Sequence, residues 1–279
     1  MIGVICEYGG FYLIFIFESE NAIRPCQMPL SRRTFLKRTF FVFGLLSACR
    51  KQKEVDNYDT SESILNITLD RKFNLSATDK LLFIGDSITD FNRDRNITAP
   101  NEEAGLGKGF VRQISTELLG SGKFANLEIY NRGYSGYVTE ELLLKFEADV
   151  LTINANVISI LIGVNDLRNN HAPLHYYGFY KQLISKIRQQ LPAAEIIICE
   201  PFTLPNAENY ETMQANLHEY RKVVRTLARD YKTTFIPYNE YFLAESKTTP
   251  VEDLLYDGIH PASKGFELLK EKWLSWMNN

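Results

Sequence analysis

The chain lacks the features that mark several large classes of protein. Its 279 residues include 4 cysteines, too few for the disulfide framework of a small secreted domain. Lys and Arg together number 31 against 34 for Asp and Glu, and the net charge of -3 gives no reason to expect a nucleic acid as partner. The apolar run at residues 40–46 is too short to span a bilayer. With 45% hydrophobic and 13% aromatic residues, the composition is that of a folded globular protein.

The N-terminal region carries two adjoining export signals. Residues 31–37, Ser-Arg-Arg-Thr-Phe-Leu-Lys, resemble a twin-arginine motif and precede the apolar run. That run leads into Leu-Ser-Ala-Cys, which resembles a bacterial lipobox ending at Cys49. We therefore predict a signal peptide at residues 28–48, lipidation of Cys49, and an exported bacterial lipoprotein anchored to a membrane, periplasmic or on the cell surface. The alternative is a chance Cys after small residues.

The segments on either side of this signal have simpler interpretations. Residues 1–27 contain an apolar stretch flanked by Glu7 and Glu18 with no basic leader, the wrong charge pattern for a signal. Because Met28 lies just before the twin-arginine motif, we interpret residues 1–27 as a mis-called gene start. Residues 49–80 are polar and predict a tether, with an extra edge strand as an alternative. The folded domain is then expected at residues 81–279, where Cys199 is alone.

Short apolar runs alternate with helical patterns after residue 80. Five runs lack strict alternation, as expected for strands buried on both faces: 81–84, 127–131, 157–162, 195–199 and 234–237. Between residues 211 and 231, apolar side chains recur at steps of three and four, which predicts a helix with one stripe against a sheet. Similar patterns predict helices before Pro192 and around Trp273. The sequence therefore predicts a parallel sheet covered by helices on both faces.

Candidate catalytic residues follow these strands. Ser87 follows the first strand within Gly-Asp-Ser, where a hydroxyl is well placed to act as a nucleophile. The block Asn-Arg-Gly-Tyr-Ser-Gly at 131–136 follows the second strand, and Gly-Val-Asn-Asp at 163–166 follows the third. Asp-Gly-Ile-His-Pro at 257–261 precedes the last helix. Because ligands bind at the carboxyl ends of the strands in such sheets, we expect the four blocks at one edge.

Taken together, the four blocks resemble the SGNH hydrolase superfamily, also called GDSL-type esterases. The residues that give the superfamily its name would be Ser87, Gly133, Asn165 and His260, in family order. The resemblance implies an α/β fold, a three-layer α/β/α flavodoxin-like sandwich with a five-stranded parallel sheet. It also implies a serine esterase that needs no cofactor and no metal ion.

The resemblance also assigns a role to each residue. Ser87 would attack an ester carbonyl, His260 would accept its proton and pass it to the leaving alcohol, and Asp257 would orient the imidazole. The backbone N–H groups of Ser87 and Gly133 and the side-chain amide of Asn165 would form the oxyanion hole.

The other candidate motifs lack the residue spacing that their function requires. There is no Gly-x-Ser-x-Gly elbow, and the Gly-rich segment at 105–109 lacks the spacing of a phosphate loop. His171, His175 and His218 form no metal-binding motif, so we expect no metal site. Three acidic residues close to the blocks are interpreted as caps and loop ties: Asp86, Asp90 and Asp166.

Within the superfamily, the sequence is most similar to bacterial acetylxylan and carbohydrate acetylesterases. The resemblance lies in Gly-Asp-Ser-Ile-Thr-Asp at 85–90 with Arg93 following, in Gly-Lys-Gly-Phe-Val at 107–111, and in Pro-Phe at 201–202. Leu167 and the Gly-Ile pair at 258–259 depart from that group. The loop at 91–109 is expected to wall the acyl pocket, with Arg93 either contacting the substrate or bracing the loop. Two alternatives stay open: a lipase or lysophospholipase of the same superfamily, and an inactive glycan-binding lipoprotein.

Overall fold

The described part of the chain falls into two units. The computed structural model describes residues 2–8, 11–17 and 57–278, and the units are Met1–Asp56 and Asn57–Asn279. In the first, strands β1 (Ile2–Tyr8) and β2 (Phe11–Phe17) pair antiparallel. The predicted signal peptide at 28–48 and the lipidation site Cys49 lie outside the described residues. The interpretation of residues 1–27 as a mis-called start stays a prediction.

The second unit is built on a parallel sheet of five strands. These are β3 (Lys80–Gly85), β4 (Glu128–Gly133), β5 (Val157–Leu161), β6 (Glu195–Cys199) and β7 (Thr234–Ile236). Their order across the sheet is β4-β3-β5-β6-β7, and every pair is parallel. This is the flavodoxin-like order, in which the chain reverses direction across the sheet beside β3. The predicted five-stranded parallel sheet is confirmed, and a crevice is expected at the carboxyl end of β3.

Ten helices of the second unit follow and separate these strands. They are α1 (Ser87–Asp90), α2 (Glu103–Leu106), α3 (Phe110–Gly120), α4 (Thr139–Leu144), α5 (Val164–Arg168), α6 (Pro173–Gln190), α7 (Tyr210–Tyr231), α8 (Tyr238–Glu245), α9 (Val251–Leu254) and α10 (Ser263–Ser275). A π-helical turn, Phe146–Leu151, follows α4, and a 3₁₀ turn, Glu62–Asn66, lies before β3.

Helices cover both faces of the sheet. On one face α3 and α8 pack against α10, and on the other α4 and α7 pack against α6. Phe83 of β3 contacts Phe110 of α3 and Trp273 of α10, while its neighbours Leu82 and Ile84 are at most 1% exposed. Strand residues are therefore buried on both sides, which explains their nearly continuous apolar sequence. The predicted three-layer α/β/α sandwich is confirmed.

The folded domain begins earlier than the sequence suggested. Residues 57–79, assigned to a tether, belong to the second unit. Ile64 and Phe73 from this segment are at most 1% exposed, and Phe73 forms a parallel bridge with Met277 beside the end of α10. Burial of these two side chains holds the segment on the domain, so only residues 49–56 remain of the predicted tether, and they lie outside the described residues.

In α7, the predicted apolar stripe is buried from Met213 to Leu227. None of the helices within residues 57–278 combines the length and apolar character needed to cross a membrane.

Candidate active site

Ser87 lies where β3 turns directly into a short helix. The side chain of Asp86 accepts a hydrogen bond from the N–H of Ile88 at 3.0 Å, which caps α1. Ser87 is therefore the first residue of that helix, and its own N–H has no acceptor within the helix. The turn places both a hydroxyl and a free backbone donor at the carboxyl end of the sheet. The capping role predicted for Asp86 is confirmed.

A turn after α9 holds Asp257 and His260 together. One carboxylate oxygen of Asp257 accepts from the backbone N–H groups of Ile259, at 3.0 Å, and His260, at 2.7 Å. The other lies 2.7 Å from Nδ1 of the His260 ring. Partial burial acts to raise the pKa of Asp257, but the hydrogen bonds from His260 and Ile259 outweigh it and leave the pKa below its ordinary value. The carboxylate therefore stays ionised beside the imidazole.

The structure brings this turn to Ser87. The Ser87 Oγ lies 2.8 Å from the His260 Nε2, across a separation of 173 residues. With the Nδ1 proton directed at Asp257, Nε2 is free to accept the hydroxyl proton. The three side chains form a continuous relay from hydroxyl to imidazole to carboxylate, which is the arrangement that activates a serine nucleophile.

The structure does not leave the Gly133 N–H available as an oxyanion donor. That N–H donates to the side-chain oxygen of Asn131 at 2.9 Å, and the Gly133 carbonyl accepts from Arg93 at 2.9 Å. A Cβ at this position would lie 2.2 Å from the backbone nitrogen of Asp90. Gly133 is thus required because β4 passes close to α1, and its predicted place in the oxyanion hole is wrong in this respect.

Gly136, three residues further along the same loop, has the open surroundings and the free backbone N–H that Gly133 lacks. Its φ is +86°, and a Cβ would meet no atom within 4 Å, so its surroundings are open. Its N–H has no acceptor among the described residues. Asn165 borders this loop, because its side-chain amide donates to the Tyr137 carbonyl at 3.0 Å and its second amide hydrogen remains free. Sequence reasoning missed Gly136, although it is the second glycine of the block at 131–136.

Comparison with known proteins decides the family. Residues 83–268 match the model of the GDSL-like Lipase/Acylhydrolase family. The chain belongs to this family. Its sequence is 29% identical over 213 residues to an acetylxylan esterase from Geobacillus stearothermophilus, covering 72% of this chain and 94% of that protein.

Solved structures agree with the sequence match. A protein described as a GDSL-like lipase from Parabacteroides merdae superposes with a TM-score of 0.70 at 34% identity, covering 74% of this chain and 98% of that one. The Geobacillus stearothermophilus acetylxylan esterase superposes with a TM-score of 0.66 at 25% identity, covering 74% and 100%. This GDSL-family protein is therefore a carboxylic ester hydrolase.

In this GDSL-family protein, Asp90 links α1, the helix that begins at Ser87, to the loop that carries Gly136. One oxygen of Asp90 accepts from the backbone N–H of Ser135 at 3.0 Å and from its hydroxyl at 2.8 Å, and it also pairs with Arg95. Burial acts to raise the pKa of Asp90, yet the hydrogen bonds from Arg95 and Ser135 hold it below its ordinary value. The predicted role of Asp90 in tying loops is confirmed.

Arg93 braces the loop at 91–109. Its side chain is only 2% exposed, its Nε donates to the Gly133 carbonyl, and its guanidinium lies 4.9 Å from the centroid of the Tyr134 ring. The burial and these contacts favour the bracing role over substrate contact, the two interpretations that the sequence left open.

Asp166 ties a second loop behind Asn165. One of its oxygens accepts from the N–H and from the hydroxyl of Thr139, both at 3.0 Å, so its predicted role is confirmed. Burial raises the pKa of Asp166, opposed by the hydrogen bonds of Thr139 and by His171.

Although the sequence predicted no metal site, the described residues include a group of metal-ligand type: Asp166, His171 and His175. Sequence spacing did not reveal it, because the chain turns between α5 and α6.

Proposed function

We propose that this GDSL-family hydrolase is a serine esterase that removes short acyl groups, acetyl above all, from a carbohydrate or a small ester. The relay carries the proposal: Ser87 Oγ lies 2.8 Å from His260, and His260 lies 2.7 Å from Asp257. Among the related structures, two catalytic mutants of the Geobacillus stearothermophilus acetylxylan esterase replace a Ser and an Asp by Ala. Residues of those two types occupy the ends of the relay here.

The reaction follows from the relay in two halves. In the first, Ser87 Oγ attacks the ester carbonyl carbon while Nε2 of His260 takes its proton, and the Asp257 carboxylate stabilises the imidazolium. The tetrahedral intermediate collapses when His260 gives that proton to the leaving alcohol, which leaves an acyl-enzyme. In the second half, water attacks the acyl carbon while His260 takes its proton, and the second tetrahedral intermediate collapses as His260 returns that proton to Ser87 Oγ, which releases the carboxylic acid.

Three donors would stabilise the negative oxygen of each intermediate. The N–H of Ser87 and the side-chain amide of Asn165 keep the roles expected from the sequence, and the free N–H of Gly136 takes the place of Gly133. A group that already donates internally would have to break that bond before it could help, whereas an unpaired donor acts without reorganisation. This assignment makes Gly136 the third donor.

An exposed aromatic ring beside the relay supports a carbohydrate substrate. Tyr256 is 56% exposed, and its ring lies nearly parallel to that of His260, at 15° and with 5.7 Å between centroids. A flat apolar face with a polar hydroxyl suits the apolar face of a sugar ring. The relation to an acetylxylan esterase points to the same substrate class.

Hydrolysis of a chain-length series tests the proposal. Turnover of p-nitrophenyl acetate should exceed that of the butyrate, with the octanoate slowest, because an extra methylene in a tight pocket shifts discrimination by about 1 to 3 kcal/mol. Ser87→Ala should lower kcat by at least about 10⁴-fold, while the matched control Ser63→Ala, at an exposed Ser of the 3₁₀ turn, should leave it unchanged. Faster turnover of octanoate would favour a lipase. Glycan binding without turnover in the unaltered protein would make it a binding protein.

The export signals extend the proposal to location. The twin-arginine motif and the Cys of the lipobox support a lipid-anchored protein outside the cytoplasm, attached through Cys49. Cys49→Ser should move the protein from the detergent phase to the aqueous phase in a phase-partition assay of bacterial membranes. Equal partition of both forms would contradict lipid anchoring.

A further inference from the structure

Two buried polar atoms without a hydrogen bond face each other behind Asn165. The second carboxylate oxygen of Asp166 has no hydrogen-bond partner, although the side chain is 0% exposed. It lies 3.5 Å from Nδ1 of His171, an atom that is buried and without a hydrogen-bond partner although the His171 side chain is 29% exposed. The two atoms meet at ion-pair distance, but the contact lacks the geometry of a hydrogen bond, and buried polar atoms without one call for an explanation.

A third donor completes the group. The ring of His175 packs edge-on against that of His171, with 4.9 Å between centroids. One donor atom from each of the three side chains lies within 4.8 Å of the others. Glu140 reaches the same place, because its carboxylate oxygen is 3.7 Å from Nε2 of His175.

We propose that Asp166, His171 and His175 bind a divalent transition-metal ion of the Zn²⁺ class. Two imidazole nitrogens and one carboxylate oxygen suit Zn²⁺, Co²⁺ or Ni²⁺, whereas Mg²⁺ and Ca²⁺ require oxygen ligands. Water or Glu140 would supply the fourth ligand. The ion would bridge the two atoms that lack a hydrogen bond and satisfy both.

The distances fit such an ion with little movement. Bonds of 2.0 to 2.1 Å in a tetrahedron separate neighbouring donors by about 3.3 Å, close to the 3.5 Å between Asp166 and His171. The remaining adjustment falls on His175, whose side chain is 40% exposed and would have to shift against the rings of His171 and Phe179 that it contacts. The site therefore has two placed ligands and one adjustable ligand.

The backbone around the site is already fixed. The other oxygen of Asp166 is held by Thr139. The N–H of His171 donates to the Asp166 carbonyl at 3.0 Å, and its own carbonyl accepts from the Tyr220 hydroxyl at 2.9 Å. A bound ion would cross-link α5 to the start of α6. Because Asn165 precedes Asp166 in α5, the site would stabilise the element that carries Asn165.

Metal titration of the untagged full chain, after chelator treatment and dialysis, tests the site. Co²⁺ should give visible absorption bands of a tetrahedral complex at one equivalent, and Zn²⁺ should displace it. Zn²⁺ at 100 times its dissociation constant should raise Tm by roughly 5 to 10 °C, whereas Mg²⁺ should not. No Co²⁺ bands and no Tm shift would overturn the proposal.

Variants locate the ion. His175→Ala, at an exposed position, should weaken Zn²⁺ binding by at least about tenfold, as for a lost ligand, and His171→Ala should do the same. The control His218→Ala removes an exposed His that pairs with Glu62 and is not one of the three proposed ligands, and this variant should bind Zn²⁺ like the unaltered protein. Equal affinity in all three would place the ion elsewhere and refute the site. Ser87→Ala should retain full binding, which separates this inference from the proposed esterase activity.

Discussion

Replacing Asp86 by Asn should remove a loss of folding stability that the unaltered protein suffers as the pH rises. The Asp86 carboxyl is 1% exposed, and burial, helped by the nearby Asp166 carboxyl, raises its pKa from 3.8 to about 7 in spite of the hydrogen bond from Ile88. In the unfolded chain the same group titrates near its ordinary value. At a pH between these two pKa values, Asp86 keeps its proton in the folded protein but has lost it in the unfolded chain.

The sign and size follow from this difference. Because the folded state binds more protons, the free energy of unfolding falls as the pH rises from about 4 to about 7. The fall is about 1.4 kcal/mol per pH unit and about 4 kcal/mol in total. Asn keeps an oxygen that accepts from the N–H of Ile88 but cannot ionise. The advantage of Asp86→Asn over the unaltered protein should therefore grow across this range and level off above pH 7.

Urea unfolding at half-unit steps from pH 4.5 to 8 measures the difference directly, provided that the slope with urea stays constant. Asp70→Asn serves as the control, because Asp70 is exposed and its variant should follow the unaltered protein at every pH. A constant difference between Asp86→Asn and the unaltered protein would show that the buried carboxyl ionises normally, and the reasoning would fail.

Three further substitutions test the site. Asn165→Ala should lower kcat by about 10² to 10³-fold through loss of one oxyanion donor; less than a fivefold effect would remove Asn165 from that role. Tyr256→Ala should raise KM for acetylated xylo-oligosaccharides but not for p-nitrophenyl acetate, and equal changes for both substrates would argue against a sugar platform. Gly133→Ala should destabilise the fold by about 3 kcal/mol in urea unfolding, because its Cβ would lie 2.2 Å from the Asp90 nitrogen. An unchanged midpoint would contradict that close packing.

The sheet and the relay could be predicted because both correspond to short, local patterns in the sequence. Strands buried on both faces are apolar throughout, so each of the five appears as a short apolar run. Ser87, Asp257 and His260 stand at strand ends or in one turn, and the direction of a parallel sheet fixes which edge they share. No side-chain packing needs to be known for either inference.

Features that depend on close packing could not be predicted in this way. Gly133 and Gly136 stand in the same block, and only the path of the backbone shows that the first donates internally and the second does not. The metal-ligand group depends on the turn that brings His175 back toward Asp166. The start of the domain depends on where Phe73 is buried in the fold, and the hydrophobic periodicity of the sequence does not indicate that position.

The proposed base His260 and the carboxylate of Asp257 stand three residues apart in one turn, while the proposed nucleophile Ser87 is 173 residues away from His260 in the sequence. Asp257 and His260 therefore belong to a single short turn and move together. A shift of this turn as a whole would change the distance between His260 and Ser87, but it would leave the imidazole aligned on its carboxylate, because the hydrogen bonds that join Asp257 and His260 lie within the turn.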